Sequence, residues 1–297
     1  MNNRIVVNGA NGWLGSSLMR MGDESVLVAG VRQDKARFPE TIIIDSDGNS
    51  ANGALEGVEA IVNCAGRVAG SAVELESANV AHAVQLARQA RICGVKRFIQ
   101  VSSFSVYGMA ERIDSDTPLV PINAYGVSKL SAERALLLLS TPDFEVVCVR
   151  LPFMFSRRNP ALMGDLIKAM SQFPFWPTMS VPVRRSMLTY EYAATLLLLA
   201  ARYAKQGSIS VADPKLFTFE MLVSIMKREG CFAARLIPLP YWITEQIRRF
   251  APSVGRRLFQ SSTLSPCHNW AMKYQSSQNI DAEIKAIVEQ FVQGPTT

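Results

Sequence analysis

The sequence is poor in the residues that build metal sites and disulfide frameworks. Its 297 residues include two histidines and five cysteines, an odd number with no C-x-x-C pair. We therefore expect neither a bound metal nor a set of structural disulfides. Cysteines inside apolar runs, such as Cys64 and Cys148, are typical of buried thiols in a reducing compartment, which favours the cytoplasm.

Long apolar runs are also missing. The most hydrophobic stretch, Ala193 to Ala201, has nine residues, about half of the roughly 20 that a membrane-spanning helix needs. Only Ile5 to Val7 precede Asn8-Gly9 near the N-terminus, which is far short of the apolar region of a signal peptide. We expect no spanning segment and no export signal.

Charge is not concentrated in one place. The net charge of +6 comes from 31 Lys and Arg against 25 Asp and Glu, and the paired arginines are scattered. This balance favours small anionic ligands such as phosphates and argues against nucleic acid as a partner. The segment 239–258 mixes aromatic and arginine residues, a pattern of a lobe helix with snorkelling arginines or of a peripheral membrane contact.

The sequence does have a regular alternation of short apolar strands and longer helical patterns. The predicted strands span residues 4–8, 26–31, 41–45, 60–64, 97–102 and 145–150, and the predicted helices span 14–21, 75–93 and 124–139. This βαβ repetition predicts an α/β fold with a doubly wound, Rossmann-type parallel sheet. Its ligand crevice is expected beyond the carboxyl ends of the strands.

The alternation stops after Arg150, where five prolines interrupt the next 32 residues. We predict a dinucleotide-binding domain over residues 1–155 and a smaller, mixed, substrate-binding lobe over residues 156–297. A helix at 191–204 and a strand at 208–211 are expected to return to the sheet, so residues 190–212 would complete it and the lobe is discontinuous. Further helices are predicted at 218–228, 240–250 and 281–291.

A glycine fingerprint follows the first strand and leads into a helix; it reads Gly9-Ala10-Asn11-Gly12-Trp13-Leu14-Gly15. Gly9 would permit the tight turn, Gly12 would let the backbone approach a pyrophosphate, and Gly15 would allow close packing of helix on strand. The N–H groups of the helix N-terminus would face the anion. Between a strand and a helix, this spacing predicts a dinucleotide-phosphate site rather than a simple glycine turn.

The end of the second strand bears on the choice between NAD and NADP. An acidic residue would usually meet a free ribose 2′-hydroxyl there, whereas this chain has Val31-Arg32-Gln33. Arg32 is placed to neutralise a 2′-phosphate, which leans slightly towards NADP, although arginine can also stack on adenine. Asp45 either accepts a hydrogen bond from the adenine amino group or forms a turn before Ser46-Asp47-Gly48.

The strongest constellation is Tyr125-Gly126-Val127-Ser128-Lys129. Tyr125 and Lys129 share one face of a helix, so the ammonium can lie near the phenol and favour its ionised form. A phenol, with an ordinary pKa of about 10, could then act as acid or base near neutral pH. Ser103 lies at the end of a predicted strand, where its hydroxyl can hydrogen-bond the substrate oxygen whose proton Tyr125 moves.

Together these residues resemble the extended short-chain dehydrogenase/reductases, in their nucleotide-sugar epimerase/dehydratase group. The resemblance covers most of the chain and is more specific in its first half. Besides the glycine fingerprint, the serine strand and the Tyr-Lys pair, it rests on Asn63-Cys64-Ala65-Gly66, Asn79, Val106-Tyr107-Gly108, Arg150-Leu151-Pro152-Phe153, the stretch from Arg185 to Tyr190, and Asn269-Trp270.

The resemblance implies NAD or NADP as cofactor and suggests a role for each motif residue. Tyr125 would be the acid/base, Lys129 would bind the nicotinamide ribose and support Tyr125, and Ser103 would orient the substrate. The cofactor would be bordered by Ala65 and Gly66 at its ribose and pyrophosphate and by Pro152 and Phe153 at its nicotinamide.

The resemblance also suggests how the substrate's diphosphate is held. Arginines of the smaller lobe would supply bidentate forks to phosphate oxygens. Arg185 is the better candidate, and Arg157 or Arg158 the poorer; the alternative is that they form a solvated face.

Two departures from the group bear on the reaction. Phe104-Ser105 stand where its dehydratases carry Asp-Glu, so the resemblance argues against sugar dehydration. The stretch from Pro152 to Arg157 replaces the usual Asn-Val-Tyr-Gly-Pro, which leaves the sugar and the nucleotide open. We expect an enzyme acting at C4 of a nucleotide-diphosphate sugar, either a 4-keto-sugar reductase or a 4-epimerase, with Arg32 and the compact length favouring the reductase.

Three other readings stay open: a reductase of a non-sugar ketone such as a steroid or flavonoid-like compound, a redox-silent NAD(P)-binding assembly or sensor subunit, and a peripheral membrane protein. The intact Ser103, Tyr125 and Lys129 argue against the redox-silent subunit. The family often pairs through two long helices, here 75–93 and 124–139, so we expect a homodimer.

Overall fold

The computed structural model of the chain describes residues 4–23, 26–33, 37–179, 182–250, 260–274 and 279–293. The helices are α1 (Trp13–Met21), α2 (Ala72–Glu76), α3 (His82–Ile92), α4 (Ala124–Leu137), α5 (Ala161–Gln172), α6 (Tyr190–Tyr203), α7 (Phe219–Arg228), α8 (Tyr241–Phe250) and α9 (Ile280–Gln293). The strands are β1 (Arg4–Asn8), β2 (Leu27–Val31), β3 (Thr41–Ile43), β4 (Val58–Asn63), β5 (Arg97–Ser103), β6 (Arg112–Ile113), β7 (Glu145–Leu151), β8 (Phe153–Phe155), β9 (Phe175–Met179), β10 (Arg184–Arg185), β11 (Met187–Thr189), β12 (Gly207–Ser210), β13 (Phe217–Thr218), β14 (Arg235–Leu239) and β15 (Thr263–Leu264).

Within the described residues, seven parallel strands form the central sheet, in the order β12-β7-β5-β4-β1-β2-β3. This confirms the predicted doubly wound α/β fold. The chain runs from β1 outward through β2 to β3, then returns to β4 and continues on the other side of β1. The strand order therefore reverses between β1 and β4, and a ligand crevice is expected at their carboxyl ends.

Helices cover both faces of the sheet, which explains why its strands are apolar without alternation. On one face Val7 packs in a cluster with Leu18 of α1 and Leu196 of α6. On the other face Val6 packs in a second cluster with Leu86 of α3 and Leu136 of α4. Successive residues of a strand point to opposite faces, so a sheet buried on both sides needs apolar residues at both.

The long helix predicted at 75–93 is interrupted. It starts earlier, at Ala72, behind a capping box in which Ser71 and Glu74 exchange hydrogen bonds. Residues Ser77–Ala81 then form a π-helical turn that joins α2 to α3. Such wide turns occur inside α-helices mostly at functional sites, and this one carries Asn79.

The third strand is shorter than predicted and ends at Ile43. Asp45 cannot extend it because its Oδ1 accepts hydrogen bonds from the N–H groups of Asp47 and Asn49, at 2.9 and 2.8 Å. These bonds close a turn over residues 45–49, which is the turn-forming alternative for Asp45.

Helices α5, α7 and α9 pack around a third apolar cluster, to which they contribute Ile167, Leu222 and Ile284. Several strands of two to five residues in this part, such as β9 and its parallel partner β14, were not predicted. The lobe boundary at residue 155 stays a prediction. Of the segment 239–258, residues 251–258 lie outside the described part. No helix among the described residues combines the length and apolarity needed to cross a bilayer.

Candidate active site

The glycine fingerprint forms a compact loop between β1 and α1. Gly9 has a φ of +81°, and a Cβ on it would lie 2.8 Å from the backbone nitrogen of Ala65. A Cβ on Gly15 would overlap the carbonyl oxygen of Gly9. The expected roles of Gly9 in the turn and of Gly15 in close packing therefore have a direct steric cause.

Helix α1 begins directly after Gly12 of the fingerprint. Gly12 is the N-cap of α1, and among the residues that the structure describes no side chain makes a capping hydrogen bond there. Trp13 is exposed, whereas Leu14 turns into the core. The approach of a pyrophosphate to Asn11 and Gly12 stays a prediction.

The loop after β4 lies between Asn79 and Lys129. A Cβ on Gly66 would be 2.7 Å from Asn79 Oδ1 and 3.5 Å from Lys129 Nζ. Asn79 accepts a hydrogen bond from the Arg67 N–H at 2.8 Å and donates to Ser128 Oγ at 2.9 Å. The π turn thus connects the Ala65-Gly66 loop to helix α4, and a side chain at position 66 would press on Asn79.

Ser103 and Tyr125 meet at the end of β5. Asn123 caps α4 by accepting the Gly126 N–H at 2.7 Å, which places Tyr125 in the first turn. Burial raises the pKa of Tyr125 above its usual value, and a hydrogen bond with Ser103 only partly opposes this rise. Ser103 and Tyr125 therefore lie near each other, and the catalytic role expected of each stays a prediction.

Lys129 is buried and donates a hydrogen bond from Nζ to the Val101 carbonyl oxygen at 2.9 Å. Its Nζ lies 5.9 Å from the centroid of the Tyr125 ring. Burial lowers the pKa of Lys129 to about 8, with Cys64 and Glu133 acting in the opposite direction. Desolvation dominates the pKa of Tyr125 and raises it. The expectation that Lys129 favours the ionised phenol stays a prediction.

Replacing Lys129 with methionine is expected to stabilise the cofactor-free protein at pH 7 by about 1–3 kcal/mol, because an ammonium no longer has to be buried. The folded-state pKa lies below the unfolded value, so the unfolded chain binds more protons between pH 8 and 10.5 and the wild type gains stability there as pH rises. Thermal unfolding should show that the variant exceeds the wild type in stability by less at pH 9.5 than at pH 7. An advantage that grows with pH would contradict this.

The structure adds Tyr190 and Asn159 to the site, which the sequence did not single out. Tyr190 is the first residue of α6, and its charge raises the pKa of Tyr125, so the two phenols are near each other. Asn159 donates to the Tyr190 hydroxyl at 3.2 Å. Tyr190 stood out only as the residue before a helix, and nothing in its spacing indicated that α6 brings it to Tyr125.

The other proposed cofactor residues lie along the same edge. Arg32 is exposed after β2, and both it and Asp45 act on the pKa of His82, so they lie around one buried ring. Pro152 is buried and Phe153 is 36% exposed at the start of β8. A hydrogen bond from the adenine amino group to Asp45 stays a prediction.

The candidate phosphate-binding arginines are held by the smaller lobe. Arg185 on β10 donates from Nε to the Gln260 carbonyl at 3.1 Å, and burial lowers its pKa to about 10. Arg157 is exposed and pairs with Glu283 of α9 at 3.3 Å, so its charge is already compensated. Arg158 is exposed. The geometry leaves Arg185 the better candidate, and its role stays a prediction.

A buried ion cluster lies beneath Lys129. Glu133 follows Lys129 by one helical turn on α4, and its side chain is 1% exposed. Arg150 on β7 donates to it from Nε at 3.1 Å and from Nη2 at 2.7 Å. Ser102 Oγ donates to the same carboxylate, and Arg150 also donates to the Tyr107 hydroxyl at 2.9 Å. The cluster fixes the helix that carries Tyr125 and Lys129 to two strands.

The fold and the family comparison confirm the resemblance to the nucleotide-sugar epimerase/dehydratase group that is seen in the sequence. The chain belongs to the NAD dependent epimerase/dehydratase family, whose model matches residues 5–173, more than half of its length.

Individual relatives are more distant. The UDP-glucose 4-epimerase of Vibrio cholerae is 25% identical over 223 residues, which are 69% of this chain and 68% of that protein. The Bacillus cereus UDP-glucuronic acid 4-epimerase, solved with NAD, has a TM-score of 0.73 at 17% identity, over 98% of this chain and 99% of that one. The human epimerase family protein SDR39U1, solved with NADPH, has a TM-score of 0.72 at 20% identity, over 96% and 99%. At these identities the solved structures show the fold alone.

Proposed function

We propose that the protein is an NAD(P)-dependent oxidoreductase that acts at C4 of a nucleotide-diphosphate sugar. The observation that carries this proposal is the grouping of Ser103, at the end of β5, with Tyr125 and Lys129 on α4. Lys129 Nζ lies 5.9 Å from the centroid of the Tyr125 ring and beside Gly66, at the sheet edge where the strand order reverses. The family and the UDP-sugar epimerases among its relatives support the substrate class.

The residues present fit a pyridine dinucleotide. The loop Gly9–Gly15 has no room for side chains at two of its glycines, and α1 begins behind it with its N-terminal backbone groups available to a pyrophosphate. Lys129 lies beside Gly66 for a ribose, and Arg32 and Asp45 lie at the far end for the adenosine half. When bound, the dinucleotide would supply or accept the hydride at C4 of the sugar.

The chain's own groups would handle the proton. With its pKa raised by burial, Tyr125 is protonated at neutral pH, so it can give a proton to the oxygen of a 4-keto group as that carbon is reduced. Ser103 would hold the same oxygen and stabilise its developing negative charge. In the opposite direction Tyr125 would take the proton of the 4-hydroxyl. The protonated phenol favours the reductase of the two readings.

Epimerisation at C4 is the second candidate, and the Vibrio cholerae relative is the observation that favours it. An epimerase would use Tyr125 in both directions on one substrate without net redox change. The two readings therefore differ in how the coenzyme is used.

Mass spectrometry of the nucleotide released from freshly purified protein, followed by turnover assays with UDP-glucose, UDP-glucuronic acid and their 4-keto forms, tests the proposal. Tightly retained NAD with interconversion of C4 epimers indicates an epimerase. An empty or NADPH-loaded protein that reduces a 4-keto sugar indicates a reductase. Reduction of steroid or flavonoid-like ketones, without a thermal shift by any uridine or thymidine diphosphate, would replace the sugar with a non-sugar substrate.

We further propose a homodimer that forms through helices α2, α3 and α4. Val73, Ile92, Val127 and Leu138 on these helices are between 49% and 86% exposed, and exposed apolar groups on neighbouring helices are typical of association surfaces. Light scattering of the wild type should give twice the mass of one chain. The double variant Ile92→Glu with Leu138→Glu should give the mass of one chain. A monomeric wild type would contradict the dimer.

All five cysteines are free, and Cys148 is fully buried. This supports our proposal that the protein works in a reducing compartment, the cytoplasm.

A further inference from the structure

Three side-chain amides form a row across the central strands just below the crevice. Asn8, Asn63 and Gln100 are in register on β1, β4 and β5, and all three are buried. Asn8 Nδ2 donates to Asn63 Oδ1 at 2.8 Å, and Asn63 Nδ2 donates to Gln100 Oε1 at 2.8 Å. Each amide thus faces its neighbour with a complementary atom.

Two backbone groups fix the direction of this row. The Ala65 N–H, which can only donate, points at Asn63 Oδ1 at 3.3 Å. The Val101 carbonyl oxygen, which can only accept, receives Gln100 Nε2 at 3.1 Å and Lys129 Nζ at 2.9 Å. Neither Asn63 nor Gln100 can be turned over without losing one of these partners. Asn8 must therefore present Nδ2 to Asn63.

The direction of the row determines the state of His82. Asn8 Nδ2 also lies 2.9 Å from His82 Nε2, so Nε2 must carry no proton and accept. The other ring nitrogen, Nδ1, then carries the proton and donates to the Ser46 carbonyl at 3.2 Å. A second proton on the ring would place two donors against each other, and turning Asn8 over would place two oxygens together at Asn63.

His82 therefore connects two loops of the proposed coenzyme site. Asn8 directly precedes the glycine fingerprint, and Ser46 belongs to the turn that begins at Asp45. The turn also packs closely on the helix, because a Cβ on Gly48 would overlap the His82 carbonyl oxygen. The ring thus joins the turn to the end of β1, while Gln85 and Gln89 of α3 hold the other end of the turn by donating to Asn49 Oδ1 at 2.9 and 3.2 Å.

We propose that His82, as a neutral imidazole, is a positioning residue for the adenosine half of the coenzyme, and that a proton on its ring breaks the link between the 45–49 turn and β1 and weakens coenzyme binding. This inference rests on the proposed coenzyme site. The charged groups around the ring are Arg32 after β2 and Asp45 and Asp47 in the turn; β1 presents the uncharged Asn8. Burial lowers the pKa of His82, so the neutral form prevails near neutral pH.

The test is the pH dependence of NAD+ affinity, measured by titration calorimetry from pH 5 to 8, with NADP+ as a second probe. NAD+ has no phosphate that titrates in this range. His82→Gln keeps an acceptor for Asn8 and a donor for Ser46 but cannot be protonated. His82→Leu removes both bonds. The chain's other histidine, His268, supplies the matched control His268→Gln.

In the wild type and in His268→Gln, the dissociation constant should rise as pH falls, by up to about tenfold per pH unit below the ring's pKa. In His82→Gln the dissociation constant should keep its neutral-pH value at every pH. A folded His82→Leu should bind NAD+ weakly across the whole pH range. A wild-type slope retained in His82→Gln would overturn the role of His82 while leaving the coenzyme proposal intact. No binding of either nucleotide to the wild type at any pH would overturn the coenzyme proposal, and this role with it.

Discussion

Replacing Tyr125 by phenylalanine is expected to lower kcat by about 10²–10⁴-fold, the usual contribution of a positioned acid or base. The ring and its packing stay, and only the hydroxyl that meets Ser103 is lost. NAD(P) affinity should therefore be unchanged, because Lys129 and the glycine loop are untouched. Calorimetry for the coenzyme and product analysis for a 4-keto or 4-hydroxy UDP-sugar separate these two effects.

Tyr203 offers the matched control for this variant. It lies at the end of α6 and is 63% exposed, so Tyr203→Phe should keep full activity. Because burial raises the pKa of Tyr125, ketone reduction by the wild type should be constant across neutral pH and fall only in the alkaline range, as the phenol ionises. An unchanged rate in Tyr125→Phe would remove this residue from the mechanism.

Replacing Glu133 by alanine is expected to lower the free energy of unfolding by about 3–5 kcal/mol, the usual loss when one partner of a buried ion pair is removed. Arg150 would keep its charge in a largely buried position, and among the described residues the Tyr107 hydroxyl is the side-chain hydrogen-bond partner that it would retain. Ser102 and Ser208 would also lose the oxygens to which they donate. Urea unfolding followed by circular dichroism measures the loss.

The control for Glu133 is the exposed pair of Lys285 and Glu289, one turn apart on α9. Glu289→Ala should change stability by less than about 1 kcal/mol, because water screens such pairs. A combined replacement of Glu133 and Arg150 by leucine and methionine should recover much of the loss, since no unpaired charge is then buried. Equal effects of Glu133→Ala and Glu289→Ala would show that the buried cluster does not stabilise the fold.

The sheet and its helices could be predicted from the sequence because short apolar runs and helical periodicity are local signals. Apart from the strand predicted at 208–211, the strands after Arg150 could not be predicted, because they are two to five residues long and β9 contains Pro177. These strands exist through pairing with distant partners such as β14, and local sequence carries no sign of that pairing.

The site was predictable where its residues lie in one motif. Tyr125 and Lys129 follow from their spacing on a helix, and Ser103 follows from its place at a strand end. The raised pKa of Tyr125 could not be predicted from the motif, because it depends on burial under elements far away in sequence. His82 was unremarkable for the same reason, since its partners Asn8 and Ser46 come from two other segments.

The wide turn at Ser77–Ala81 holds one residue more than an ordinary helical turn between α2 and α3. Deleting a single residue there would convert the turn to ordinary helix and leave the two halves in nearly the same rotational phase. His82 would then still face Asn8, whereas Asn79 would lose the local backbone geometry from which it reaches Ser128. A homologous chain that is one residue shorter at this stretch should therefore keep both helices and lose the wide turn.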